Sequence, residues 1–138
     1  MKKYLADNLS TINMSLGTML VILMLILIFM SYVINDEKYK KIVILYEGEF
    51  GCLPITANLA RTASLIGTPG MYFAKIYFIM SSLIFPYNKI FNNNMSIEGY
   101  HFIRALPSEL TTSFKIEAAF WFIEIIVVFS LVILYFIF

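Results

Sequence analysis

The sequence predicts an all-α membrane protein in which two transmembrane helices bracket a central region of short, partly membrane-associated helices. Composition is the first observation behind this prediction. Of the 138 residues, 60% are hydrophobic and 14% are charged, whereas soluble domains average about 45–50% and about 25%. The second observation is a long apolar stretch near each end of the sequence. Together they exclude an ordinary soluble domain and a disordered chain.

The first predicted transmembrane helix covers residues 12–34 and follows an N-terminal tail of residues 1–11. No residue between Asn8 and Asn35 is charged. A helix needs about 20 apolar residues to cross about 30 Å of hydrocarbon, so this stretch is long enough. A cleaved signal peptide is the alternative interpretation. It fits less well, because the apolar part of a signal peptide is usually about 7–15 residues long and precedes a small-residue cleavage site.

The second predicted transmembrane helix covers residues 118–138 and carries one charged residue, Glu124. The 14 residues from Ile125 to the end of the sequence span about 21 Å as a helix. Glu124 is therefore expected to lie inside the apolar region, where an ionised carboxylate costs about 2.5–3.5 kcal/mol. We predict that Glu124 contacts a partner in the membrane. A shallow glutamate that the bilayer tolerates is the alternative.

Residues 35–117 form the predicted central region, which begins with two helices. Asn35 or Asp36 is a candidate cap for the first helix, and Gly48 and Gly51 are expected to break the chain after it. Residues 55–66 have apolar side chains at helical spacing and predict the second helix.

An apolar stretch near residues 70–85 predicts a further helix, which carries Lys75 and ends at Pro86. Its short length favours a helix at the membrane interface, and a third crossing is the alternative. Ser96 is then a candidate cap for another helix, and Pro107 is expected in the first turn of the last one. The apolar side chains of this region are expected to pack on one another or on a partner.

Basic residues beside the two spans predict the orientation of the protein. Lys38, Lys40 and Lys41 follow the first span closely, and Lys115 precedes the second. Because lysine and arginine are enriched in cytoplasmic loops, the central region is expected in the cytoplasm and both termini outside. The same lysines are candidates for contact with anionic lipid, which attracts each basic residue by about 1 kcal/mol.

Catalytic, cofactor and metal chemistry is not expected from this sequence. His101 is the only histidine and Cys52 the only cysteine, so neither has companions at the spacing of a metal site. Glu47 and Glu49 flank Gly48, and an exposed turn explains that pair better than acid–base catalysis. With a net charge of +1, the chain also lacks the basic surface typical of nucleic-acid binding. No small-molecule substrate is inferred.

Two short segments resemble the universal stress protein B family of small bacterial inner-membrane proteins. One is Phe102-Ile103-Arg104 followed by Phe114, which leads into the C-terminal apolar stretch, and the other is YEGEF at residues 46–50. The family is also similar in organisation, with a span near each end and a cytoplasmic loop between them. The resemblance implies a stress-related protein of the bacterial inner membrane and supplies no catalytic residue.

We therefore predict a small integral protein of the inner membrane that acts without catalysis. Its predicted partners are the lipid bilayer and another membrane protein or a second copy of itself. An alternative is an immunity or exclusion factor that blocks a toxin or a transfer apparatus, since small size and abundant Ile, Phe, Asn and Lys are typical of mobile genetic elements. A membrane enzyme is a third, less favoured alternative.

Overall fold

The computed structural model describes residues 8–92 and 94–137, and it contains helices and no strand within those ranges. The helices are α1 (Leu9–Phe29), α2 (Asn35–Phe50), α3 (Ile55–Leu59), α4 (Pro69–Ile84), α5 (Ile97–Ala105) and α6 (Ser108–Ile137). The prediction of an all-α fold is confirmed for this part of the chain. Residues 1–7 of the predicted tail and residue 138 of the second predicted span lie outside the described residues.

A π-helical turn at Met30–Ile34 joins α1 to α2, so the backbone is helical from Leu9 to Phe50. The predicted cap at Asn35 or Asp36 is wrong. Asn35 is inside the helical segment, and its side chain donates to the carboxylate of Glu117 instead of capping a helix. A π-helical turn places more than the usual number of residues in one turn and is frequent at functional sites.

Helix α2 ends later than the sequence predicts. Gly48 lies within the helix, and the end falls at Gly51, whose φ of 77° is readily adopted only by glycine. Glu47 and Glu49 are therefore helical rather than part of a turn, and the prediction for that pair is wrong.

The segment of residues 55–66 is helical only over α3, so the longer helix predicted there is wrong. After α3, the amide of Arg61 bonds to the carbonyl of Asn58, and that of Ala63 to the carbonyl of Ala60. These bonds between residues three apart form turns and replace the four-residue bonds of an α-helix.

Helix α4 begins one residue before the predicted position, α5 begins after its predicted cap, and α6 begins one residue after the proline that was expected in its first turn. Proline is tolerated in the first turn of a helix, and Pro69 opens α4, which covers almost all of the predicted apolar helix near 70–85. The Ser96 hydroxyl caps α5 by accepting a bond from the amide of Gly99 at 3.1 Å. Pro107 directly precedes α6, which continues without a break to Ile137.

The chain divides into two units. The terminal-helix unit comprises Met1–Leu27 and Ala119–Phe138, and the central unit comprises Ile28–Ala118. Among residues 8–27 and 119–137 of the terminal-helix unit, most of the large apolar side chains are exposed, including Met14, Val21, Leu25, Ile126, Phe129 and Ile133.

The central unit has a packed core. Tyr46 of α2 makes edge contacts with Phe78 of α4 and Phe102 of α5, at ring-centroid distances of 5.6 and 5.8 Å. Aromatic pairs favour such edge-to-face geometry at this range. The fully buried aliphatic and aromatic side chains include Ile42, Ile76, Ile79, Ile103 and Phe114. Much of the apolar surface of the central region is therefore covered by self-packing.

Candidate functional site

A buried carboxylate, Glu117, lies at the centre of a polar cluster in the central unit. Its side chain is fully buried. The Asn35 side-chain amide donates to Oε2, and the Tyr72 hydroxyl donates to Oε1 at 2.9 Å. These bonds connect α6 to α2 and α4. Burial of a carboxylate is tolerated only when hydrogen bonds or opposite charges compensate for the lost water.

A cavity of about 50 Å³ lies beside this cluster, and Asn35, Tyr39, Tyr72 and Lys75 are among the residues that line it. The Oδ1 atom of Asn35 and the hydroxyl of Tyr39 are buried and have no hydrogen-bond partner among the described residues. A buried water needs roughly 10–15 Å³ and two to four polar partners. The cavity is therefore large and polar enough for a few small polar molecules.

Lys75 of α4 lies at the margin of this cavity. Its ammonium donates to the carbonyl of Ala63 at 3.3 Å and lies 4.5 Å from the centroid of the Tyr39 ring, a cation–π distance. Burial lowers the pKa of Lys75, and the charge of Asp36 acts in the opposite direction. Burial, followed by the charge of Glu117, raises the pKa of Tyr72. Tyr72 therefore keeps its proton as a donor to Glu117.

A second, larger concavity adjoins the cavity, and we call it the basic cleft. It measures about 360 Å³ and is lined by Asp36, Tyr39, Lys40, Val43, Ile44, Arg61 and Lys75. Two of its three basic side chains are ion-paired: Lys40 with Asp36 at 2.6 Å, and Arg61 with Glu47 through two bonds of 2.8 and 3.0 Å. A two-bond pair fixes the position of the Arg61 guanidinium.

The lysines selected from the sequence have different positions. Lys40 lines the basic cleft. Lys38 donates to the hydroxyl of Ser113 at 3.0 Å, which links α2 to α6 within the central unit. Lys41 and Lys115 are exposed. The structure thus brings Lys40 to the basic cleft and places Lys38 in a contact between two helices.

Glu124 lies on the α6 part of the terminal-helix unit. Its side chain is only 7% exposed. Its Oε2 atom is buried and has no hydrogen-bond partner within residues 8–92 and 94–137. The side chain therefore offers a hydrogen-bond acceptor that no described donor uses.

Sequence reasoning missed Glu117, Tyr72 and the role of Asn35. One signal was available for Glu117, which precedes Glu124 by seven residues in the same predicted helix. Seven residues are almost two helical turns, so both carboxylates lie on similar sides of α6. No sequence signal connected Tyr72 or Asn35 to Glu117, because those contacts span 45 and 82 residues.

No protein-family model, curated protein or solved structure matches this chain. The resemblance to the universal stress protein B family stays a prediction. The chemistry of the described residues consists of hydrogen bonding by buried polar groups and a concentration of positive charge in the basic cleft.

Proposed function

We propose that the chain is an integral membrane protein whose helices α1 and α6 span the bilayer. Exposed apolar surface supports this. The helical segments Leu9–Phe50 and Ser108–Ile137 each contain an apolar stretch of 18 residues. Only 22% of the residues in the first stretch and 11% of those in the second are buried. A helix that is apolar on all sides requires burial, either in a protein core or in lipid. Since the fold covers so little of these helices, lipid is the environment that suits them.

We further propose that the protein acts without catalysis, by binding another membrane protein or a second copy of itself. The carrying observation is Glu124, a buried carboxylate with an unused acceptor atom in an apolar stretch of helix. Acidic residues within a membrane are costly and usually pair with another polar group. A donor on a partner helix would satisfy Oε2 and would also specify where that helix binds.

Replacement of Glu124 by glutamine tests this proposal. Glu124→Gln preserves the shape but removes the carboxylate, so crosslinked partner or dimer should fall about three- to tenfold, the usual range for one hydrogen bond within a membrane. Glu109→Gln is the matched control, because Glu109 is an exposed acid in the first turn of the same helix. Both variants should resist extraction by alkaline carbonate.

Two outcomes would contradict the proposal in different ways. Release of the wild-type protein by alkaline carbonate would refute the membrane location. Equal crosslinking yields for wild type and Glu124→Gln, with both retained in the membrane, would refute the role of Glu124 alone.

For the location, we propose the bacterial inner membrane with the central unit in the cytoplasm and both termini outside. The lysines that follow α1 and precede α6 support this orientation. Cysteine labelling of intact cells tests it in a Cys52→Ser background, since Cys52 is itself exposed. A cysteine at Ser10 should react with an impermeant reagent and one at Asn94 should not; the reverse pattern would refute the orientation.

A further inference from the structure

We propose that the basic cleft binds the phosphate headgroup of an anionic lipid, held by Lys75, the Tyr39 hydroxyl and the neighbouring cations. This inference deepens the proposed function and rests on the membrane location. It assigns one bound lipid to a defined site, which differs from a general attraction between lysines and an anionic surface.

Charge in the cleft favours an anionic ligand. Lys40, Arg61 and Lys75 supply three positive charges, and Asp36 is the one acidic lining residue. Asp36 pairs with Lys40, and Glu47 outside the lining pairs with Arg61. Within the described part of the chain, no carboxylate lies in ion-pair distance of Lys75. Lys75 is thus the cation with the greatest capacity to bind a phosphate.

Tyr39 adds a hydrogen-bond donor at the same place. Its side chain is 5% exposed, and its hydroxyl has no hydrogen-bond partner among the residues described. Burial raises the pKa of the Tyr39 hydroxyl to about 12, and the nearby charges of Arg61 and Glu47 have smaller, opposite effects on it. A buried hydroxyl without a partner loses free energy relative to water, and a phosphate oxygen is a strong acceptor that would restore the missing bond.

The shape and depth of the cleft suit a lipid better than a free ion. Its volume of about 360 Å³ is within the range of small-molecule sites and is large for phosphate alone. Val43 and Ile44 form an apolar wall, with Ile44 68% exposed. Lys40 is six residues after Ile34, the last residue of the first transmembrane helix predicted from the sequence. A helix rises about 9 Å over six residues, which reaches the level of the headgroups.

Lipid binding to the full-length protein tests the proposal directly. We would add short-chain phosphatidylglycerol or phosphatidylcholine to the protein in non-ionic detergent and measure bound lipid by native mass spectrometry. Wild type should retain one phosphatidylglycerol in preference to phosphatidylcholine. Lys75→Met, which keeps the aliphatic stem, should weaken this binding about fivefold, the attraction typical of one lysine near an anionic surface. Tyr39→Phe, which removes only the hydroxyl, should weaken it at least as much.

Lys41→Met is the matched control, because Lys41 is exposed on α2, the helix of Tyr39 and Lys40, and does not line the cleft. Its binding should equal that of wild type. Equal losses in Lys41→Met and Lys75→Met would overturn the proposal in favour of general surface attraction. Displacement of the lipid by an equal concentration of inorganic phosphate would overturn the lipid as the ligand. Binding unaffected by both Lys75→Met and Tyr39→Phe would overturn the site.

Flotation with phosphatidylcholine vesicles separates failure of the cleft from failure of the proposed function. A protein that floats with these vesicles but has no preference for phosphatidylglycerol would overturn the lipid site and leave the membrane location intact. A protein that does not float with them would overturn the membrane location, and the lipid site with it.

Discussion

Two glutamates of helix α6, seven residues apart, have opposite surroundings. Glu117, in the central unit, is fully buried and accepts hydrogen bonds from Asn35 and Tyr72. Glu124, in the terminal-helix unit, is almost as buried, yet its Oε2 atom has no partner among the described residues. Burial alone therefore does not distinguish a carboxylate whose oxygens are bonded within the fold from one with an oxygen that the described residues leave without a partner.

Hydrogen bonding separates the two roles. A buried carboxylate whose oxygens accept bonds from its own fold stabilises that fold, and removing it leaves the donors unsatisfied. A buried carboxylate with an unused oxygen contributes little within its fold and gains free energy when a donor arrives from outside. Glu117 is a carboxylate of the first kind, because both of its oxygens accept bonds within the fold. The unused Oε2 atom of Glu124 supports the second kind, a carboxylate that gains from an external donor.

The largest expected effect comes from removing Glu117. Glu117→Ala leaves the Asn35 amide and the Tyr72 hydroxyl without their acceptor, and each buried polar group left unsatisfied costs about 1–3 kcal/mol. We expect a loss of about 2–6 kcal/mol in the free energy of unfolding of the central unit, measured by denaturant unfolding in detergent. Glu124→Gln should change this free energy by less than about 1 kcal/mol. Equal losses of unfolding free energy in the two variants would contradict the distinction between a carboxylate that stabilises the fold and one with an unused oxygen.

The sequence predicted the local features of this fold better than its contacts. The all-α class, the cap at Ser96 and the apolar helix near residues 70–85 follow from patterns within a few residues. The predicted cap at Asn35 or Asp36 is wrong: the Asn35 side chain bonds to Glu117, 82 residues away, and its sequence neighbours do not indicate that contact. The local rule that asparagine favours helix caps was outweighed by this distant contact.

The candidate sites show the same division. Glu124 was identified from the sequence because a charge in an apolar helix is a local anomaly. The basic cleft was not identified from the sequence, although Lys40 was selected as a basic residue beside the first span. The residues that line the cleft come from α2, the turns after α3, and α4. Arg61 and Lys75 become neighbours of Lys40 only through packing. No spacing in the sequence indicates that these three residues lie together.

A smaller effect is expected from glycines that differ in their surroundings within the same unit. A Cβ added at Gly99 would overlap the Tyr46 hydroxyl and lie 3.2 Å from the Met95 side chain, whereas one added at Gly48 would meet nothing within 4 Å. Gly99→Ala should therefore destabilise the central unit by about 1–3 kcal/mol, the usual cost of overpacking a core. Gly48→Ala should stabilise it by about 0.5–1 kcal/mol, because alanine is favoured over glycine inside a helix.

Both glycine variants are measured by the same unfolding experiment, so the sign of each change is the test. Opposite signs are expected because Tyr46 lies in the aromatic core, where its ring contacts Phe78 and Phe102 and has little room to move. A stabilising Gly99→Ala would mean that Tyr46 moves aside easily. The central unit would then be loosely packed around Tyr46, whereas the hydrogen bonds of Glu117 to Asn35 and Tyr72 involve other residues and are tested separately by Glu117→Ala.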